Sequence, residues 1–150
     1  MSFGKMPIAN GFITKKDFKK EFFFKMEVGF SKKISLFQLN EHPKPHQMFN
    51  KNYPFFTSSS KGMINHFKKY SEWVKKNYKK DLKNLIEIGS NDGTFLKNFN
   101  KKKINLIGFE PSKNVAQISS KRGIKTINKF FNNKNVKNLK NLKRKINIIT

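Results

Sequence analysis

One stretch constrains this chain more than any other: Leu85-Ile86-Glu87-Ile88-Gly89-Ser90-Asn91-Asp92-Gly93-Thr94-Phe95-Leu96. A short, mostly apolar run leads into two glycines four positions apart, and apolar residues resume beyond them. The pattern predicts a buried strand that enters a glycine turn, which in turn opens a helix. A second apolar run, Ile104–Phe109, ends on Glu110, twenty-three residues after Glu87. A glycine turn with an acid at the tip of the next strand is a way for an open parallel sheet to hold a nucleoside.

The rest of the carboxy-terminal half alternates in the same manner. Strands are predicted over Asn84–Ile88, Ile104–Glu110, Ile124–Ile127 and Ile146–Thr150. Between them lie a helix over Thr94–Phe99, a helix begun by Pro111-Ser112 with Val115, Ala116 and Ile118 toward the sheet, and a helix on Val136, Leu139 and Leu142. Gly123 is a natural stop for the second of these. Strands alternating with helices imply an α/β, Rossmann-like parallel sheet with right-handed crossovers, here over residues 84–150.

Residues 51–83 read as a connecting segment and helix. Ser58-Ser59-Ser60 precedes an apolar stripe of Met63, Phe67, Tyr70, Val74 and Tyr78, widened by Trp73, and Ser60 is placed to be its N-cap. Residues 1–50 read as a separate β region, with strands over Phe22–Phe30 and Ile34–Leu39 joined by Ser31-Lys32-Lys33. The segment Glu41–His46 reads as a loop. His42 and His46 are four apart, but Pro43 and Pro45 forbid a regular helix between them and no third ligand is evident, so no metal is expected.

Composition narrows the function classes. The chain has no cysteine, which excludes disulfides, thiolate zinc sites and a Cys nucleophile and fits a cytoplasmic protein. No apolar run reaches the length of a membrane span, and Met1-Ser2-Phe3-Gly4 does not read as a signal peptide. The net charge is +24. A polyanion partner is one reading of it. Against nucleic acid stands the scarcity of arginine, the residue suited to bidentate contacts with bases and phosphates: only Arg122 and Arg144 occur. The lysines are spread along the whole chain rather than gathered in one arm, so compositional bias is the favoured explanation.

The glycine turn also narrows the nucleoside. A dinucleotide fingerprint needs a middle glycine for close approach to pyrophosphate, and Asn91 stands there; a phosphate-binding loop would need a following Gly-Lys-Ser/Thr, which is absent. The turn suits a ligand with a ribose and an uncharged or cationic tail, such as S-adenosylmethionine. Gly89 would let the backbone run beside the methionine part, Asn91 and Asp92 would offer polar contacts to its ends, and Glu110 would accept the ribose hydroxyls. An ordinary tight turn would also use Gly89 and Gly93, and Glu110 alone would pass for an acid ahead of a helix N-terminus. Their joint spacing favours the site.

Glu87-Ile88-Gly89-Ser90-Asn91-Asp92-Gly93-Thr94 followed by Gly108-Phe109-Glu110-Pro111-Ser112-Lys113-Asn114-Val115-Ala116 resembles the class I methyltransferases of the sugar C-methyltransferase type. Phe3–Asn10, Tyr53–Ser60 with His66, and Gly123–Thr126 with Phe130-Phe131 carry the same resemblance, which spans essentially the whole chain. It implies S-adenosylmethionine held by Glu87, Gly89, Ser90, Asn91, Asp92, Gly93, Glu110, Pro111 and Ser112. It places Tyr53, Ser58, Ser60 and His66 on the cofactor and substrate side, and implies a nucleotide-linked keto-deoxysugar as substrate. In the family a base removes the proton beside the keto group and the resulting enolate takes the methyl; the resemblance names no such base here. The family's small zinc domain would have cysteines at Ser31 and Ile34, so a degenerate, zinc-less β region is expected. The resemblance further implies the amino-terminal half of such an enzyme, as a fragment or a split product with a possible second chain as partner. The alternatives are an S-adenosylmethionine- or nucleotide-binding module without activity of its own and, less favoured, a basic nucleic-acid-binding protein.

Overall fold

The computed structural model of the chain describes residues 1–80, 82–137 and 146–150. The chain divides into two compact units, Met1–Phe49 and Asn50–Thr150.

The first unit is an antiparallel sheet in the order β1 (Ser2–Pro7), β2 (Phe23–Ser31), β3 (Leu36–Leu39). The expected hairpin is β2 and β3, with Phe30 opposite Phe37 and Val28 opposite Leu39. Strand β1 has no counterpart in the sequence reading. Its register on β2 slips between Ser2 and Lys5, and Gly4 lies in the slip at φ 76°. An irregularity of this kind breaks the two-residue period by which a strand is recognised. The predicted loop Glu41–His46 also holds the start of a short helix, α1 (Pro45–Met48). Pro45 is tolerated there because the first helical residue needs no amide hydrogen. His42 stays outside that helix, and among the described residues no group of three or more His, Asp or Glu is arranged to hold a metal.

The second unit opens with α2 (Lys61–Asn77), capped by Ser60, whose Oγ accepts the Met63 amide at 3.3 Å. Its buried line is rotated from the predicted stripe. Ser71 and Val74 are buried, Phe67 and Tyr70 are half-buried, and Met63, Trp73 and Tyr78 are exposed. Ser71 brings no bulk to that line and turns its hydroxyl back to the Lys68 carbonyl at 2.7 Å. No helix among the described residues is long and apolar enough to cross a membrane.

Strands β4 (Asn84–Ile88), β5 (Asn105–Phe109), β6 (Lys125–Ile127) and β7 (Ile148–Ile149) form a parallel sheet in the order β6-β5-β4-β7. The α/β, Rossmann-like class read from the alternation is the class observed. Neighbouring residues on a strand face opposite layers. Leu85 and Leu106 join Val74, Phe95, Leu96 and Ile124 in one core, while Ile86, Ile107 and Phe109 form another with Ile127, Val136 and Ile146. Helix α3 (Lys113–Lys121) links β5 to β6 and ends at Gly123, φ 77°. Helix α4 (Asn133–Lys137) follows β6. Leu139 and Leu142, predicted to continue it, lie outside the described residues.

The helix predicted over Thr94–Phe99 shrinks to one 3-10 turn, Leu96–Asn98. The Asn98 side chain donates to the Thr94 and Phe95 carbonyls at 2.9 and 3.0 Å, and Lys75 Nζ takes the Asn98 carbonyl at 2.6 Å. Side chains thus occupy acceptors that a longer helix would use for its own amides.

Candidate functional site

Chain order reverses between β4 and β7, because β5 and β6 lie on one side of β4 and β7 on the other. Ligands of open α/β sheets bind outside the carboxyl ends of the strands at such a point. Gly89–Gly93 leaves β4 there. Gly89 and Gly93 have φ of 70° and 76°, and Asn91 between them also has a positive φ, 48°. Asn is among the few side chains that tolerate this conformation. A Cβ on Gly89 would meet nothing within 4 Å, so backbone and open space are what that position offers. A Cβ on Gly93 would come within 2.7 Å of Ser119 Oγ, which makes this glycine a packing contact with α3.

Glu110 is buried at the tip of β5. Its carboxylate accepts the Asn91 amide at 3.0 Å and the Ser112 amide at 2.7 Å, so it ties the turn to the start of α3. Pro111 is held from behind: the Asn128 side chain donates to the Glu110 and Pro111 carbonyls, both at 2.8 Å. Asn91 and Asp92 turn their side chains inward. Asn91 Oδ1 accepts the Thr57 amide at 2.8 Å, and its Nδ2 donates to the Phe55 carbonyl at 3.1 Å. Asp92, fully buried, accepts the Ser58 amide at 3.0 Å and the Thr94 hydroxyl at 2.6 Å, and pairs with Arg122 at 3.3 Å. Burial works to raise the Asp92 carboxyl, but hydrogen bonds from Ser58 and Thr94 and the Arg122 charge hold it below its ordinary value.

Glu87 differs. Only 8% exposed, it has one carboxylate oxygen without a hydrogen-bond partner. Burial pushes its carboxyl up to about 8, and the charges of Asp92 and Glu110 add to the rise. Among the described residues, the other buried side-chain oxygens without a partner are Ser90 Oγ, Ser112 Oγ and Asn114 Oδ1. All four belong to the turn, the strand that feeds it and the helix start beside it. A buried polar atom without a partner costs about 1–3 kcal/mol, so that cost is concentrated around the turn.

Tyr53 also reaches this place. Burial raises its hydroxyl pKa and the Glu110 charge raises it further, while Asn114 Nδ2 holds the Tyr53 carbonyl at 2.8 Å. Ser58 joins through Asp92. Ser60 uses its hydroxyl as the α2 cap, and the His66 ring packs along its own helix against Phe67 and Tyr70. Sequence reasoning missed Asn114, Asn128 and Arg122. Arg122 had one visible signal: it is an arginine in a chain whose cations are almost all lysine.

A family model described as a methyltransferase domain matches residues 63–150. The chain is also similar to C-methyltransferase NovU of Streptomyces niveus, with 27% identity over 129 residues that cover 85% of this chain and 30% of that protein. The chain thus spans under a third of the length of that relative.

Proposed function

The chain belongs to the methyltransferase-domain family, and from that premise we propose that it forms the cofactor-binding part of an S-adenosylmethionine-dependent C-methyltransferase acting on a nucleotide-linked keto-deoxysugar. The observation that carries this reading is the set of unpartnered buried oxygens around Gly89–Gly93, above all the acid of Glu87. A cation would favour the charged form of this buried acid beside Asp92 and Glu110, and the donor carries both an ammonium and a sulfonium. Three of the chain's nine acids, Glu87, Asp92 and Glu110, gather here in a protein of net charge +24.

The residues present fit the cofactor. Gly89 gives it backbone and open space, Glu87 a counter-charge, Ser90 and Ser112 hydroxyls, and Glu110 the lone pairs left over from its two amide contacts. When bound, the cofactor supplies a methyl carbon made electrophilic by its sulfonium. The chain's own part is to bind and orient. Tyr53, with its raised hydroxyl beside Glu110, stays a protonated donor on the substrate side. The sugar substrate rests on the motif resemblance and on the C-methyl transfer in the relative's name. A cytoplasmic setting belongs to the same reading.

Equilibrium dialysis with S-adenosylmethionine tests it. The expected result is weak binding that S-adenosylhomocysteine displaces and NAD does not, and that falls in Glu87→Gln. Retention of NAD in preference to S-adenosylmethionine would overturn the reading.

A further inference from the structure

Residues Tyr53 to Ser58 cross the glycine turn as a strap, and what fixes them is unusual for this chain. The Phe55 carbonyl and Thr57 amide are held by Asn91, the Ser58 amide by Asp92, and the Tyr53 carbonyl by Asn114. Arg122, at the end of α3, closes the set. Its Nη1 donates to the Asp92 carbonyl at 2.8 Å and to Thr94 Oγ1 at 3.3 Å, and pairs with the Asp92 carboxylate at 3.3 Å. Its Nη2 donates to Ser58 Oγ at 3.0 Å. One planar fork therefore touches the strap, the turn and the segment beyond the turn. A lysine, with a single ammonium on a flexible stem, does not present donors in that fixed fan. Lysine is the default cation of this chain, with Lys and Arg together numbering 33 and only two of them arginine. The arginine at 122 is thus placed where the fork geometry is used.

We propose that Arg122 is a positioning residue: acting through Asp92 and Ser58, it locks the Tyr53–Ser58 strap to the Gly89–Gly93 turn, so that the substrate side and the cofactor side of the site are set as one unit. The locking stands on the geometry alone. Its consequence for ligands rests on the methyltransferase reading above.

Amide hydrogen exchange on the full chain tests it, because the Thr57 and Ser58 amides are themselves strap contacts. In Arg122→Lys, which keeps the charge opposite Asp92 and loses the fork, exchange at Thr57 and Ser58 should rise about tenfold or more, the scale of a lost charge-assisted hydrogen bond. Exchange in β4 and β5 should not change. Ser58→Ala, which removes the Nη2 acceptor and the Ser58 hydroxyl contact to Asp92 but leaves the Arg122–Asp92 pair in place, should give a smaller rise at the same amides and keeps the test decisive if an Arg122 variant fails to fold. Unchanged strap exchange in both variants overturns the proposal. So does a uniform rise through strap and strands, which would mark a merely structural role. S-adenosylmethionine is then added. Wild type should gain protection in turn and strap together, and Arg122→Lys in the turn alone. If the cofactor protects nothing in wild type, the cofactor reading fails, while the locking is still decided by the ligand-free comparison.

Discussion

The two units are built from similar strand-forming residues and use them differently. The register of β1, β2 and β3 puts Met6, Phe24, Met26, Val28, Phe30, Phe37 and Leu39 on one face, yet no residue from Met1 to Phe49 is buried. In the parallel sheet, Leu85, Ile86, Leu106 and Ile107 are at most 5% exposed. The difference is cover rather than composition. Crossover connections lay chain over both faces of a parallel sheet, whereas an antiparallel hairpin brings no second layer with it. The functional residues follow the cover, because a buried acid or an orphaned hydroxyl is only possible where water has been excluded.

The largest test of this contrast is truncation of matched apolar side chains. Leu85→Ala should cost about 2–5 kcal/mol in urea unfolding, as core leucines do. Phe37→Ala, with Phe37 66% exposed, should cost less than about 0.5 kcal/mol. A large loss from Phe37→Ala would break the comparison and show that the aromatic face of the first sheet is covered in solution.

Glycines give the next largest effect. Gly4 and Gly93 share a φ of 76°, so alanine carries about the same backbone penalty of 1–2 kcal/mol at either. Only at Gly93 would the new methyl also collide, with Ser119 Oγ at 2.7 Å and Ile124 Cγ1 at 3.3 Å; around Gly4 there is nothing within 4 Å. Gly93→Ala should therefore be the costlier by about 1–3 kcal/mol, the usual toll of overpacking. Equal losses in thermal unfolding would mean that α3 yields where the close contact says it does not.

What the sequence disclosed follows the same line. Asn84–Ile88 is a short run with three apolar residues, Leu85, Ile86 and Ile88, that stops at Gly89, and it is a strand over those residues. Gly89 and Gly93 were legible as a turn because glycine is the default residue at positive φ. Asn91 was legible as a departure from the dinucleotide pattern but not as the third positive-φ residue of the turn. Arg122 was invisible as a site residue because its partners, Ser58 and Asp92, lie 64 and 30 residues away and leave no local period. The helix expected over Thr94–Phe99 failed where Asn98 competes for carbonyls, a choice settled by tertiary packing. Strand β1 was hidden by its register slip.

A third test uses two glutamates that start from the same ordinary pKa and move in opposite directions. Burial raises Glu87 to about 8, whereas a hydrogen bond from Lys25 and its charge lower Glu27. For Glu87 the folded state holds a proton that the unfolded state releases above about 4.5. Its effect is thus absent at low pH, and stability declines as pH rises from about 4.5 to about 8. Glu87→Gln should flatten that limb of the stability profile. A cationic ligand should reverse the cost by taking the deprotonated form, so binding at neutral pH should release a proton, measurable by calorimetry in buffers of different ionisation enthalpy. A profile that is flat in wild type would mean that water reaches Glu87.

The smallest effect belongs to the exposed pair Lys25–Glu27 on β2, supported by a hydrogen bond from Asn40 to Glu27 at 3.3 Å. The lowered Glu27 value has the opposite sign to that of Glu87: its contribution is present above the ordinary carboxyl range and is lost as pH falls. Both groups stand in water, where pairing is screened and side-chain entropy opposes it. Lys25→Ala should leave the thermal midpoint unchanged within error at physiological salt, with at most a small difference appearing at low ionic strength. A midpoint shift that persists in molar salt would mean that the Lys25 stem, rather than its charge, packs on the sheet. That result would put packed surface into the unit that otherwise lacks it.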